Sequence, residues 1–209
     1  MRMVLDLYSG SQSLKKPSEE AGFEYYSIDM NYDADMQADM MTLEVKDIPV
    51  VPYIVWASPP CPKFSIAAVS RHWHKFQEGA VGHYFPKHPD TVIATNLMLH
   101  TIEVIKELKP RYWYIENPRS VLRKMIFMRS LPRRVTVTYC QYGDTRMKPT
   151  DIWTNNLDWV PKPMCKNGDP CHEAAPRGSR TGTQGMNRYE ASKVPYDLLT
   201  EILAQGKDK

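Results

Sequence analysis

Short apolar runs alternate with polar stretches along most of this chain, and each run stops at a turn residue or an acid. Residues 3–7 read as a buried strand closed by Ser9-Gly10, and residues 25–28 as a second ending at Asp29. Residues 51–56 form a third, broken by Ser58-Pro59-Pro60, and residues 112–115 a fourth, followed by Glu116-Asn117. Between them, residues 15–21 are helix-compatible with Gly22 as a stop. Asp90 caps a helix to about residue 108 whose Ile93, Leu97, Thr101, Val104 and Leu108 share one face. A short helix over 121–131, a β-branched strand over 135–139 and a closing helix over 196–204 complete the pattern. Residues 66–88 and 155–188 have no clean period and read as loop.

Strand, helix and strand in alternation predict an α/β, Rossmann-like fold: a mostly parallel sheet with helices on both faces. Such sheets bind ligands outside the carboxyl ends of their strands, so Ser9-Gly10, Asp29, Pro60-Cys61 and Glu116-Asn117 should converge on one crevice. The division expected is a catalytic and cofactor-binding core over 1–154, a contact segment over 155–188, and a return to the core over 189–209.

Composition narrows the class. With 42% hydrophobic residues in 209, the chain is globular rather than disordered. Its apolar runs are far shorter than a membrane span, and its start lacks the form of a signal peptide. The expected location is therefore the cytoplasm. A net charge of +3 is compatible with a nucleic-acid partner without demanding one. Four cysteines in such a compartment suit thiol chemistry or metal binding better than disulfides.

Cys61 lies in Ser-Pro-Pro-Cys-Pro-Lys-Phe-Ser, directly after a strand, where flanking prolines fix the backbone. Alone it reads equally as a structural cysteine or a functional thiol. Glu116, at the end of an apolar strand, could be a shielded proton donor or a surface carboxylate. Arg146 and Lys148 follow a strand and Tyr-Gly; they suit a phosphate, a base carbonyl or simply solvent. Arg71-His72-Trp73-His74-Lys75 interleaves cations with an aromatic ring and reads as a nucleic-acid contact or a solvated loop.

In order and spacing these features resemble the C5-cytosine DNA methyltransferase family. The resemblance implies S-adenosyl-L-methionine as cofactor and transfer of its methyl group to C5 of a flipped cytosine in DNA. Cys61 would be the nucleophile, Glu116 the acid at N3, and Arg146 a base-orienting cation. Leu7, Tyr8, Ser9 and Gly10 resemble the opening cofactor motif, with Gln12-Ser13-Leu14 in place of its later glycines. Asp29 matches the ribose-binding acid, with Met30 beside it, and Asp39 the adenine-side acid. Pro60, Ser192 and Lys193 would complete the cofactor pocket. Ser65, Arg71, His72, Trp73, Lys75, Asn117, Lys148, Arg177 and Arg180 would meet nucleic acid.

Three departures matter. The usual target-recognition domain is reduced to residues 155–188, implying relaxed sequence readout or a protein partner that supplies it, on a monomeric enzyme. Lys193 stands where the family has small or amide side chains, which would suit carboxy-S-adenosyl-L-methionine and carboxymethyl transfer. No metal is assigned, although Cys165, Cys171 and His172 offer three zinc ligands without a fourth; two free cysteines are the alternative. An RNA cytosine methyltransferase, a free-nucleotide enzyme and a non-catalytic nucleic-acid-binding module stay open as other readings.

Overall fold

The computed structural model describes residues 2–30, 33–65, 69–78, 81–174 and 186–206. Nine strands and six α-helices are present among them. The strands are β1 (Met3–Leu7), β2 (Glu24–Asp29), β3 (Met36–Gln37), β4 (Ile54–Ala57), β5 (Trp73–Glu78), β6 (Val81–Pro86), β7 (Tyr112–Pro118), β8 (Arg133–Thr138) and β9 (Pro149–Thr154). The helices are α1 (Lys15–Glu20), α2 (Val69–His72), α3 (Pro89–Leu108), α4 (Ile126–Arg129), α5 (Arg188–Ser192) and α6 (Tyr196–Ala204).

Seven strands form one sheet in the order β3-β2-β1-β4-β7-β9-β8. The first five run parallel, while β9 pairs antiparallel with both β7 and β8. The chain leaves β1 toward β2 on one side and returns as β4 on the other, so the order reverses at β1 and opens a crevice at its carboxyl end.

The alternation of strand side chains divides the core in two. Leu5, Leu7, Val55, Ala57 and Ile115 face a layer built on Met98, Ile102 and Ile105 of α3. Val4, Ile54, Trp56, Tyr112 and Tyr114 face Leu198, Leu199, Ile202 and Leu203 of α6. Each buried aliphatic side chain contributes roughly 1.5–3 kcal/mol. Parallel strands covered on both faces need almost continuous apolar sequence, which is why these four were readable.

Three expectations are corrected. The loop expected over 66–88 is contradicted among its described residues: α2 and an antiparallel β5–β6 hairpin lie there. His74 and Lys75, exposed on opposite faces, blur its period. Strand β9 was not expected, because Thr150, Asp151 and Thr154 are polar yet fully buried. Arg123 and Thr136 hydrogen-bond Asp151 there. The helix expected over 121–131 breaks at Met125, which is extended between a 3-10 turn (Val121–Lys124) and α4.

Candidate active site

The turn after β1 is held in an unusual backbone. Tyr8, Gly10 and Gln12 all have positive φ, of 62°, 40° and 50°. Gln12 thus occupies a left-handed conformation that glycine adopts without strain, at the place where the resembled motif has a glycine. Tyr8 N and Ser9 N donate to the Ile28 carbonyl, and Gly10 N donates to Asp29 Oδ2 at 3.1 Å. The ends of β1 and β2 are therefore one unit.

Two adjoining hollows share Gly10 and Ser11. The larger, about 420 Å3, reaches Ser27, Asp35 and Tyr189. The smaller, about 60 Å3, is lined by Asp6, Tyr8, Ser9, Trp56, Ser58 and Ser192, among others. Val194 N donates to Ser13 Oγ at 3.2 Å, so the segment after α5 lies against the first turn. Burial, aided by the charge of Asp29 and opposed by a hydrogen bond from Tyr25, pushes the Asp6 carboxyl up to about 7.

Cys61 sits just before the 3-10 turn Pro62–Phe64, half-buried. Burial and the charge of Glu116 push its thiol up, and the Lys148 ammonium opposes both. Glu116 is buried at the end of β7 and accepts a hydrogen bond from Tyr139 Oη at 2.9 Å. Burial raises its carboxyl; Lys148 and the hydroxyls of Tyr139 and Ser58 pull it back. Lys148 itself is lowered by burial, against the pull of Glu116 and Cys61. The Lys148 ammonium thus acts on both the half-buried thiol and the buried carboxyl, which puts the three groups in one cluster.

This corrects the reading of Lys148 as a surface contact. Its backbone has φ 27°, its side chain is only 5% exposed, and Nζ donates to the Ala191 carbonyl at 2.8 Å over the Tyr139 ring. Arg146 instead forms a bidentate pair with Asp144 and reaches the Glu190 carbonyl. Asn117 is also no nucleic-acid contact. It is fully buried, and Nδ2 donates to the Pro59 carbonyl at 2.9 Å.

Other expected residues lie apart. Leu7 is core, and Met30 and Pro60 are exposed without lining either hollow. Asp39 is exposed and holds the Met41 amide, though its charge reaches Tyr8. His72 and Trp73 are buried, with Trp73 stacked on Phe64 at 5.6 Å and donating to the Lys63 carbonyl. Arg71 and Lys75 are exposed, and Ser65 is half-buried. Lys193 pairs with Glu190 Oε1 at 2.9 Å and lines neither hollow, whereas Ser192 lines the smaller. Arg177 and Arg180 fall outside the described residues. Tyr139, Ser58 and Asp144 were missed. Ser58 opens the Ser-Pro-Pro-Cys run and could have been found there; the others depend on the antiparallel strands.

Among the described residues, no helix is long and apolar enough to cross a membrane. No protein-family model matches the chain. It is 28% identical over 222 residues to a protein of Frog virus 3 (isolate Goorha) named "Probable DNA (cytosine-5)-methyltransferase", covering 96% of this chain and 98% of that one. The fold is similar to that of the Entamoeba histolytica methyltransferase EhMeth, with a TM-score of 0.55 and 12% identity over 79% of this chain and 57% of the other. It is also similar to that of an E. coli protein described as a "putative DNA modification methyltransferase encoded within prophage", with a TM-score of 0.51 and 16% identity over 74% of this chain and 46% of that one. The chain thus spans about half the length of these two solved structures. Its fold is Rossmann-like and similar to that of methyltransferases of known structure, and its sequence is similar, at the level of the family, to the C5-cytosine DNA methyltransferases.

Proposed function

We propose that the protein methylates C5 of cytosine in DNA through a covalent bond between Cys61 and C6 of the ring. The observation that carries this reading is the tie between the two halves of the site: Asn117 Nδ2 donates to the Pro59 carbonyl and holds the strand that carries Glu116 against the turn that carries Cys61, with the Lys148 charge acting on both groups.

The residues beside β1 fit S-adenosyl-L-methionine. Ser9 Oγ is buried without a hydrogen-bond partner, which costs about 1–3 kcal/mol unless a ligand completes it. Asp29 supplies negative charge for a cationic cofactor and would hold its ribose hydroxyls. When bound, the cofactor supplies an electrophilic methyl group for C5.

The chain's own residues activate the ring. The Cys61 thiolate attacks C6, making C5 nucleophilic. Glu116 in its protonated form donates to N3 and offsets the charge that develops. Lys148, rather than Arg146, is the cation at the ring; it favours both the thiolate and negative charge on the base. Arg146, clamped by Asp144, holds the turn that presents Lys148. Loss of the C5 proton then expels Cys61. DNA, rather than RNA, is the substrate favoured by the viral relative's name. Methyl rather than carboxymethyl transfer is favoured because Glu190 already matches the charge of Lys193.

Incubation with labelled S-adenosyl-L-methionine and duplex DNA, single-stranded DNA or transfer RNA, with mass analysis of the nucleosides, tests the reading. 5-Methyldeoxycytidine from DNA supports it. Modification confined to RNA, a carboxymethyl mass at equal cofactor supply, or no product would overturn it.

A further inference from the structure

The described part of the segment after β9 contains no helix or strand before α5, yet it is pinned to the body. Trp159 is fully buried and donates to Glu201 Oε1 at 2.8 Å. Further along, Cys165, Cys171 and His172 meet Cys140, which lies one residue beyond the Tyr139 that bonds Glu116.

The three sulfur atoms and the imidazole nitrogen all lie within 4.8 Å of one another. Cys140 Sγ is 3.6 Å from Cys171 Sγ, and His172 Nδ1 is 3.7 Å from Cys165 Sγ and 3.6 Å from Cys171 Sγ. A tetrahedral ion with Zn–S bonds of about 2.3 Å needs ligand separations of about 3.7 Å. Those three edges agree; the Cys140–Cys165 edge, at 3.0 Å, is shorter. Gln141 Nε2 donates to Cys171 Sγ at 3.3 Å, an outer contact of the kind that orients a metal-bound thiolate. Cys165 N donates to Thr138 Oγ1, so one ligand is held by the end of β8.

We infer that Cys140, Cys165, Cys171 and His172 form a structural zinc site that staples the 155–174 segment to the turn after β8. Three thiolates and a neutral imidazole satisfy the preference of a borderline-soft, tetrahedral ion. Four protein ligands leave no open position, so the site braces rather than catalyses. The cross-link spans a segment whose core contacts are few, and it fixes the backbone next to Tyr139. Cys61 takes no part, so the inference stands apart from the proposed methyl transfer.

The test is metal analysis of the full chain expressed with zinc and purified without chelator. About one zinc per chain is expected, with X-ray absorption giving a shell of three sulfurs and one nitrogen. Cys61→Ala should keep its zinc, whereas Cys165→Ser and Cys140→Ser should lose it. If those variants do not fold, titrating the native chain with an organomercurial that releases zinc as the buried thiols react gives the same answer. A zinc-free chain, a disulfide joining Cys140 to Cys165 in freshly purified protein, or full zinc retention in folded Cys140→Ser would overturn the inference.

Discussion

Asn117 Nδ2 donates to the Pro59 carbonyl at 2.9 Å, tying the strand that carries Glu116 to the loop that carries Cys61. Both residues are buried, and this bond joins the two halves of the candidate catalytic cluster. Asn117→Ala removes it and frees the Cys61 loop. Loss of alignment on this scale lowers rate by about 100-fold. The expected result is a fall in kcat with little change in the KM for cofactor, measured by steady-state methylation kinetics.

Cys61 and Glu116 together must hold one proton to work. Burial raises both groups, and the charge of Glu116 raises the thiol further. The wild-type rate should fall on the acid side, when both are protonated, and again on the alkaline side, when neither is. Gln at position 116 still accepts from Tyr139 but does not titrate. The rate of Glu116→Gln should then rise with pH along the thiolate alone and show no alkaline fall, as a pH–rate profile would reveal.

Lys148 is the cation that opposes the rise of the Cys61 thiol. Lys148→Met removes that help and leaves a smaller thiolate fraction. Alkylation of Cys61 by iodoacetamide at neutral pH should slow by about tenfold, the equivalent of one pH unit. An unchanged alkylation rate would remove Lys148 from the cluster.

Asp6 makes stability fall with rising pH. Its carboxyl is near 3.8 when exposed and about 7 in the folded chain. The folded state therefore binds more protons than the unfolded state between these values, and stability declines across that window by on the order of 4 kcal/mol. Asp6→Asn keeps an acceptor for Tyr25 and cannot ionise. Without cofactor, it should match the wild type near pH 4 and unfold at higher denaturant concentration near pH 8.

Much of this was legible because parallel strands buried on both faces have simple signatures. The runs ending at Ser9, Asp29, Pro59 and Glu116 marked four parallel strands of the sheet and put Cys61 and Glu116 at the same carboxyl edge. What escaped depends on distant partners. Strand β9 buries Thr150 and Asp151 against Arg123 and Thr136, so its polar residues hide it. Lys148 reads as a surface cation until the β8–β9 turn carries it beside Tyr139. Cys140, 25 residues before Cys165, gave no spacing signal for a fourth ligand. Trp73 reads as a stacking platform, but Phe64 already covers it.

The covalent step is open to direct measurement with duplex DNA carrying 5-fluorocytosine and S-adenosyl-L-methionine. Fluorine at C5 blocks the proton loss that would release the enzyme. A stable one-to-one protein–DNA adduct, mapped by peptide mass to Cys61 and absent in Cys61→Ala, is the result this account requires. Methyl transfer to cytosine by a folded Cys61→Ala variant, or an adduct on any other residue, would contradict it.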